Sequence, residues 1–199
     1  MATLSVVICA HNRAALLDSI LVSLHNQILA PDVIVVDDSD MLLMHTHGTT
    51  KYIWNRPDGL YHRVAKYNEA VAYVKTPFVV LLDDDTVPMG AEWAQGFVDA
   101  LERASVVRGC FGSDCAFPGW FSTTNLGFST LLTHQPFDPM YDGRYGYEDW
   151  DFGRTLDAMG VKVALGDERT AAQHLGEKFS GDREASQENE RLFRAKWNL

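Results

Sequence analysis

The first half of the chain alternates between short apolar runs and segments with helical spacing. Leu4–Ala10 (LSVVICA) is a continuous apolar, β-rich run of the kind that parallel sheets bury on both faces. Leu16, Leu17, Ile20, Leu21 and Leu24 then recur at helical spacing, with Asn12 as a candidate cap and Pro31 as the stop. Val33–Val36 predicts a second strand and Lys51–Trp54 a short third. Arg63–Val74 predicts a helix before Pro77, and Phe78–Leu82 another buried strand. Asp40–Thr50 has no period and predicts a loop, and Arg56–Gly59 a turn. Pro88 suits a first helical turn, ahead of Trp93, Phe97, Ala100 and Leu101 as a buried face. From residue 104 the pattern loosens. Val106–Phe111 suggests a strand, and Gly112–Thr133 has little period. Phe152, Leu156 and Met159 mark a helix closed by Gly160. Val161–Leu165 is a strand candidate, and Arg183–Trp197 a charged terminal helix. The alternation predicts an α/β fold with a mostly parallel central sheet flanked by helices, as a single domain over residues 1–199. Its second half, 104–199, is irregular and expected to face a substrate.

Composition narrows the chemistry. The 199 residues carry 17 Lys+Arg against 27 Asp+Glu, a net charge of −10, which argues against an extended nucleic-acid-binding surface. No run approaches the ~18 apolar residues of a membrane helix. The N-terminus lacks a basic leader, so a soluble, cytoplasmic protein is expected. Cys9, Cys110 and Cys115 form no disulfide framework. Their odd number suggests a reducing compartment, with Cys110 and Cys115 as buried thiols.

Three apolar strands end in polar groups: Ala10-His11-Asn12-Arg13, Asp37-Asp38 and Asp83-Asp84-Asp85. Open α/β sheets bind ligands beyond such strand ends. Clustered aspartates repel unless a cation or hydrogen-bond donors hold them, and hard oxygen ligands favour Mg²⁺ or Mn²⁺ with substrate phosphate. An isolated DDD is equally compatible with a solvated loop; its place after a buried strand favours a metal–diphosphate site. Neither GxxxxGK[ST] nor GxGxxG occurs, so ATPase, kinase and dinucleotide-dehydrogenase readings lack their signature. A second cluster is GRYGYEDWDFG, residues 143–153. There Glu148 and Asp149, flanked by Tyr147 and Trp150, offer acceptors for sugar hydroxyls, aromatic faces and a general base. Asp151 is as well explained by capping the helix that follows. Trp93 and Trp197 suit helix-face core positions, and His45 and His47 a loop.

These segments, in this order and spacing, resemble the inverting GT-A glycosyltransferases of family 2. The chain matches from SVVICAHNR, through the fifteen residues separating Asn68 and Asp83, to NLGFSTLL…GYEDWDFGRTLDAMG and RLFRAKW. The C-terminal half also resembles a galactosyltransferase-type segment. The resemblance implies a nucleotide-sugar-binding half (1–103) and an acceptor-binding half (104–199). It also implies metal-dependent transfer of a sugar, with inversion, from a nucleotide diphosphate donor (a UDP-sugar) to an acceptor hydroxyl. Ala10, Asn12 and Arg13 would line the nucleotide pocket, Asp38 would meet the base and Lys66 a phosphate. Asp83 would lie on the ribose side, with Asp84 beside it. Asp85 and His174 would hold Mn²⁺ or Mg²⁺. Asp149 would be the base, and Glu148 would position sugar hydroxyls. Trp120, Asn125 and Trp150 are candidates for the acceptor site, where Asn125 could instead brace the loop that carries Trp120. The strand end DDSD departs from the family's usual DDGSxD. Two other readings remain open at this point: a catalytically silent nucleotide-sugar or glycan-binding module, and a sugar nucleotidyltransferase.

Overall fold

The apolar runs line up side by side because none can face water on either surface. The computed structural model describes residues 3–41, 49, 51–55, 58, 60, 62–112, 122–175 and 183–199, with side chains in the last segment from residue 186. Strand β1 (Leu4–Ala10) pairs in parallel with β2 (Asp32–Asp37) on one side and β4 (Phe78–Asp83) on the other. β3 (Lys51–Trp54) continues beyond β2. The chain therefore runs outward from β1 to β3 and returns to β1's far side as β4. The order reverses between β1 and β4, and a ligand crevice is expected at such a point.

The second half of the chain completes the same sheet. β7 (Leu126–Ser129) runs antiparallel to β4, β6 (Val106–Arg108) antiparallel to β7, and β8 (Val163–Leu165) parallel to β6. The strand order is β3-β2-β1-β4-β7-β6-β8. Helices α1 (Ala14–His25) and α3 (Trp93–Leu101) pack Leu17, Ile20, Leu24, Trp93 and Phe97 on one face, against Leu4, Val6 and Ile8. On the other face, α2 (Arg63–Ala72), α4 (Glu148–Ala158) and α5 (Arg183–Trp197) bring Val64, Tyr67, Phe152 and Phe193 onto Val7, Val79 and Leu81. Each fully buried Leu, Ile or Val adds roughly 1.5–3 kcal/mol.

Four local expectations change. β7 lies in the stretch that sequence pattern leaves irregular, because four residues containing Gly127 show no period. Its strand state comes from pairing on both edges, and a Cβ at Gly127 would meet Phe97 Cδ1 at 2.8 Å, so the glycine lets α3 close onto the sheet. Pro88 closes β5 (Thr86–Pro88), which pairs antiparallel with β9 (Ala172–His174), and does not open a helix. Asn12 does not cap α1: it sits at φ +54°, and Arg13 occupies the cap position without a side-chain cap bond. Met159 is 56% exposed and leaves the predicted apolar face.

Asp151 has a structural place. Its buried carboxylate accepts from Tyr141 Oη (3.2 Å), Lys196 Nζ (2.8 Å) and Trp197 Nε1 (2.8 Å), fastening α5 to α4. Cys110 is disulfide-bonded and is not the buried thiol expected, so the odd cysteine count does not argue for a reducing compartment. Among the described residues Cys9 is a free cysteine; Cys115, His45 and His47 lie outside them. No helix among the described residues is long and apolar enough to cross a membrane.

Candidate functional site

The polar ends of β1, β2 and β4 are tied into one network. Asn12, in its left-handed conformation, donates its backbone N–H to Ser39 Oγ (2.7 Å). Its side chain exchanges hydrogen bonds with Asp40, Nδ2 to Oδ2 at 2.9 Å and Asp40 N to Oδ1 at 3.0 Å. Asp37 is fully buried and accepts from the Ser39 backbone and hydroxyl and from Tyr52 Oη, so it shapes the turn. Asp38 Oδ1 receives His11 Nδ1 (2.9 Å) and the buried Lys66 Nζ (2.7 Å), which also donates to Ala10 O (3.2 Å).

At the end of β4 the three aspartates diverge. Asp83 Oδ1 accepts from Tyr67 Oη (2.9 Å) and pairs with Arg63 Nη2 (2.8 Å). Asp84 faces inward, taking the His11 backbone N–H (2.9 Å) and Arg13 Nη1 (2.9 Å). Burial nevertheless raises its carboxyl above the usual range, against the lowering pull of those two donors. Asp85 Oδ2 is bound by Arg13 Nη1 at 2.5 Å. The β5–β9 ladder sets Thr86 opposite His174, and Leu175 N donates to Asp85 O (2.7 Å), which brings the late histidine to the aspartate cluster.

These groups line one cleft of about 210 Å³. β1 contributes Cys9 and the turn from β1 into α1 contributes His11 and Arg13; α2 contributes Arg63 and Lys66; the β4 end contributes the three aspartates. Tyr145 and His174 close it. Burial drives the Cys9 thiol far upward, so it stays neutral and is no nucleophile. Ala10, Asn12 and Asp38 are not among the lining residues: Ala10 O and Asp38 hold Lys66, and Asp38 and Asn12 contact the His11 ring. Lys66 reaches the cleft with its ammonium already engaged by Asp38.

The residues present fit a divalent ion. Asp85 Oδ1 is buried with no hydrogen-bond partner, although His174 Nε2 lies only 3.3 Å away. A carboxylate oxygen and an imidazole nitrogen converge there, a donor set that suits a divalent cation. Among the described residues no group of three or more His, Cys, Asp or Glu side chains is set to hold a metal, so further ligands would have to come from phosphate and water.

Across the cleft, Gly143 (φ +75°), Gly146 (φ +86°) and Tyr147 (φ +71°) turn the chain sharply into α4. The first turn of α4 carries Glu148 and Asp149, where the helix dipole favours carboxylates. Glu148 is 4% exposed, its Oε1 is 3.4 Å from Arg63 Nε, and its Oε2 is buried without a partner. Burial raises the Glu148 carboxyl, with Arg63 opposing. Asp149 keeps some open surface, yet dense surroundings, with Glu148 beside it, push its carboxyl up to about 7; Arg63 and the Trp150 N–H pull the other way. Asp149 does not itself line the cleft and is connected to it through Glu148 and Arg63.

The acceptor candidates separate. Trp150 is 47% exposed and packs near Tyr147 (5.9 Å) and Phe193 (6.2 Å), beside Asp149. Trp120 lies outside the described residues. Asn125 is fully buried at φ +56°. Its Nδ2 donates to Cys110 O (2.9 Å) and Thr170 O (3.0 Å), and Oδ1 accepts from Trp93 Nε1 (3.2 Å). Its side chain is used up inside the protein and cannot take an acceptor hydroxyl. Asn125→Ala is expected to lower stability by about 2–4 kcal/mol, since it strands two carbonyls and an indole N–H. Denaturant unfolding checks this, and a loss under about 1 kcal/mol would contradict a bracing role.

Sequence reasoning missed Arg63, His11 and Tyr145. Arg63 carried a signal: a cation in the first turn of a helix opposes the dipole and calls for a local reason.

Comparison with known proteins adds the family. A model described as Glycosyl transferase family 2 matches residues 5–145. A search of curated protein sequences gave no match. Among solved structures, S. aureus TarS is similar at TM-score 0.70 and 17% identity, covering 97% of this chain and 39% of that one. TarS 1-349 in complex with UDP-GlcNAc is similar at 0.66 and 18%, covering 96% and 65%. The Pyrobaculum calidifontis mannosyltransferase PcManGT, in complex with GDP-Man and Mn²⁺, is similar at 0.64 and 15%, covering 90% and 58%. The chain thus spans less than two thirds of each of these structures.

Proposed function

The chain belongs to glycosyl transferase family 2 and has the GT-A fold, and from that premise we propose that it transfers a sugar from a nucleotide diphosphate donor to an acceptor hydroxyl, with metal assistance and inversion. UDP is the proposed carrier. The observation that carries the reading is the single cleft in which Asp85 and His174 stand on one side and Tyr145, leading into Glu148 and Asp149, on the other.

In this reading the nucleotide sits over the ends of β1 and β2, near His11 and Asp38, with its ribose towards Asp83. Arg13 and Lys66 lie where a diphosphate would need compensation, and Lys66 would have to share its ammonium with Asp38. A divalent ion on Asp85 and His174 would supply Lewis-acid and electrostatic stabilisation of the departing diphosphate. Asp149 takes the proton of the acceptor hydroxyl, for which a carboxyl near 7 is well matched. Glu148, with a free buried oxygen, orients sugar hydroxyls, and Trp150 offers an apolar face. The family match ends at residue 145, so the roles of Glu148 and Asp149 and the galactosyltransferase-like character of the C-terminal segment rest on the resemblance and on geometry.

A thermal-shift screen of UDP-, GDP- and dTDP-sugars with Mn²⁺, followed by donor hydrolysis, tests this. Stabilisation by about 2.7 kcal/mol is expected at a UDP-sugar concentration a hundred times Kd, with metal-dependent hydrolysis. Binding without any turnover would favour the silent module, and no shift with any donor would defeat the proposal.

A further inference from the structure

Among the described residues, Arg63 joins the cleft lining to the first turn of α4. Its Nη2 pairs with Asp83 Oδ1 at 2.8 Å on the donor side, and its Nε lies 3.4 Å from Glu148 Oε1 on the acceptor side. Only 16% of the side chain is exposed, and the guanidinium stacks 5.3 Å over the fully buried Tyr67, whose hydroxyl donates to the same Asp83 oxygen.

Its base is anchored independently. Asp142, on the segment leading into α4, accepts the Ala65 backbone N–H with Oδ1 (2.9 Å), satisfying a first-turn donor of α2 from 77 residues away. The other oxygen of Asp142 takes His62 Nδ1 at 2.7 Å. The N-terminus of α2 and the approach to α4 are therefore pinned together beside Arg63. A cation there opposes the α2 dipole, a cost that the two carboxylates offset.

We propose that Arg63 is a positioning residue: one guanidinium ties the donor-side carboxylate of Asp83 to the acidic first turn of α4, so that the base is held in place within the field of a fixed cation. This rests on the reading of Asp149 as the base. Around Asp149 stand Glu148 on its own helix, Arg63 from α2, Asp83 from the end of β4 and Tyr145 from the preceding turn. Of these, Arg63 is the cation. Lysine cannot replace it fully, because a single ammonium lacks the fork that reaches two carboxylates at once.

The test is a ¹³C-carboxyl NMR titration of Asp149 in the full chain, with the signal identified by its absence in D149N. It needs no substrate. Arg63→Gln should raise the Asp149 midpoint by about one pH unit, a tenfold smaller ionised fraction below it. Arg63→Lys should raise it by a smaller but resolved amount, and its conservative shape keeps the comparison open if Arg63→Gln does not fold. A midpoint unchanged in Arg63→Gln, or in Arg63→Lys where that is the folded variant, overturns the proposal, since an arginine that only packs would leave it there. If the midpoint moves but D149N retains turnover, the tie stands and the base assignment fails. If D149N is inactive and the midpoint stays, the base stands and the tie fails.

Discussion

Asp149→Asn is expected to lower turnover by about 10²–10⁴-fold while Mn²⁺-dependent UDP binding survives, because the change removes the proton acceptor without touching the cleft lining. Steady-state kinetics beside a thermal-shift titration on the same preparation would separate the two effects, and full activity would remove the assignment. The pH dependence has a definite sign. Burial and Glu148 raise the carboxyl from an ordinary value of 3.8 to about 7, so the ionised, working form appears as pH rises and the rate should climb through that region. Stability should move oppositely. The folded state holds a proton that the unfolded chain has released between about pH 4 and 7, so this group's contribution to stability shrinks across that window as pH increases. The asparagine variant has no proton to release and should lose that slope, which denaturant unfolding at pH 5 and 8 would reveal.

Asp85→Asn should abolish the metal dependence of donor binding. Removing a group that merely supports a ligand typically costs 10–100-fold in metal affinity, so losing the ligand itself should cost more than about 100-fold. Mn²⁺ titration followed by electron paramagnetic resonance checks this; an unchanged curve would place the ion elsewhere. The same change should leave the metal-free protein within about 1 kcal/mol of the parent. It relieves repulsion among adjacent aspartates while Arg13 keeps its bond to Asp84. Binding lost without stability lost is the signature of a carboxylate kept for a ligand.

The strands that carry the nucleotide side were legible because burial on both faces writes itself into composition. LSVVICA and FVVLL admit almost no other reading, and both became central strands of the sheet. The acidic ends of β2 and β4 were legible too, since charge directly after a buried run needs a purpose. Of the two readings of Asn125, the bracing one holds: its amide satisfies two carbonyls and an indole inside the core, partners that no local pattern could have named. Arg63 was overlooked because its partners, Asp83 and Glu148, lie twenty and eighty-five positions away along the chain.

The amino-acid order by itself determined the α/β class, the parallel strands and which carboxylates end them, since local apolar density and helical period are properties of neighbours in sequence. Tertiary structure alone decided that β7 is a strand, that His174 meets Asp85 and that one guanidinium joins Asp83 to Glu148. Those facts depend on distances between residues far apart in the chain, and such distances exist only once the sheet has closed.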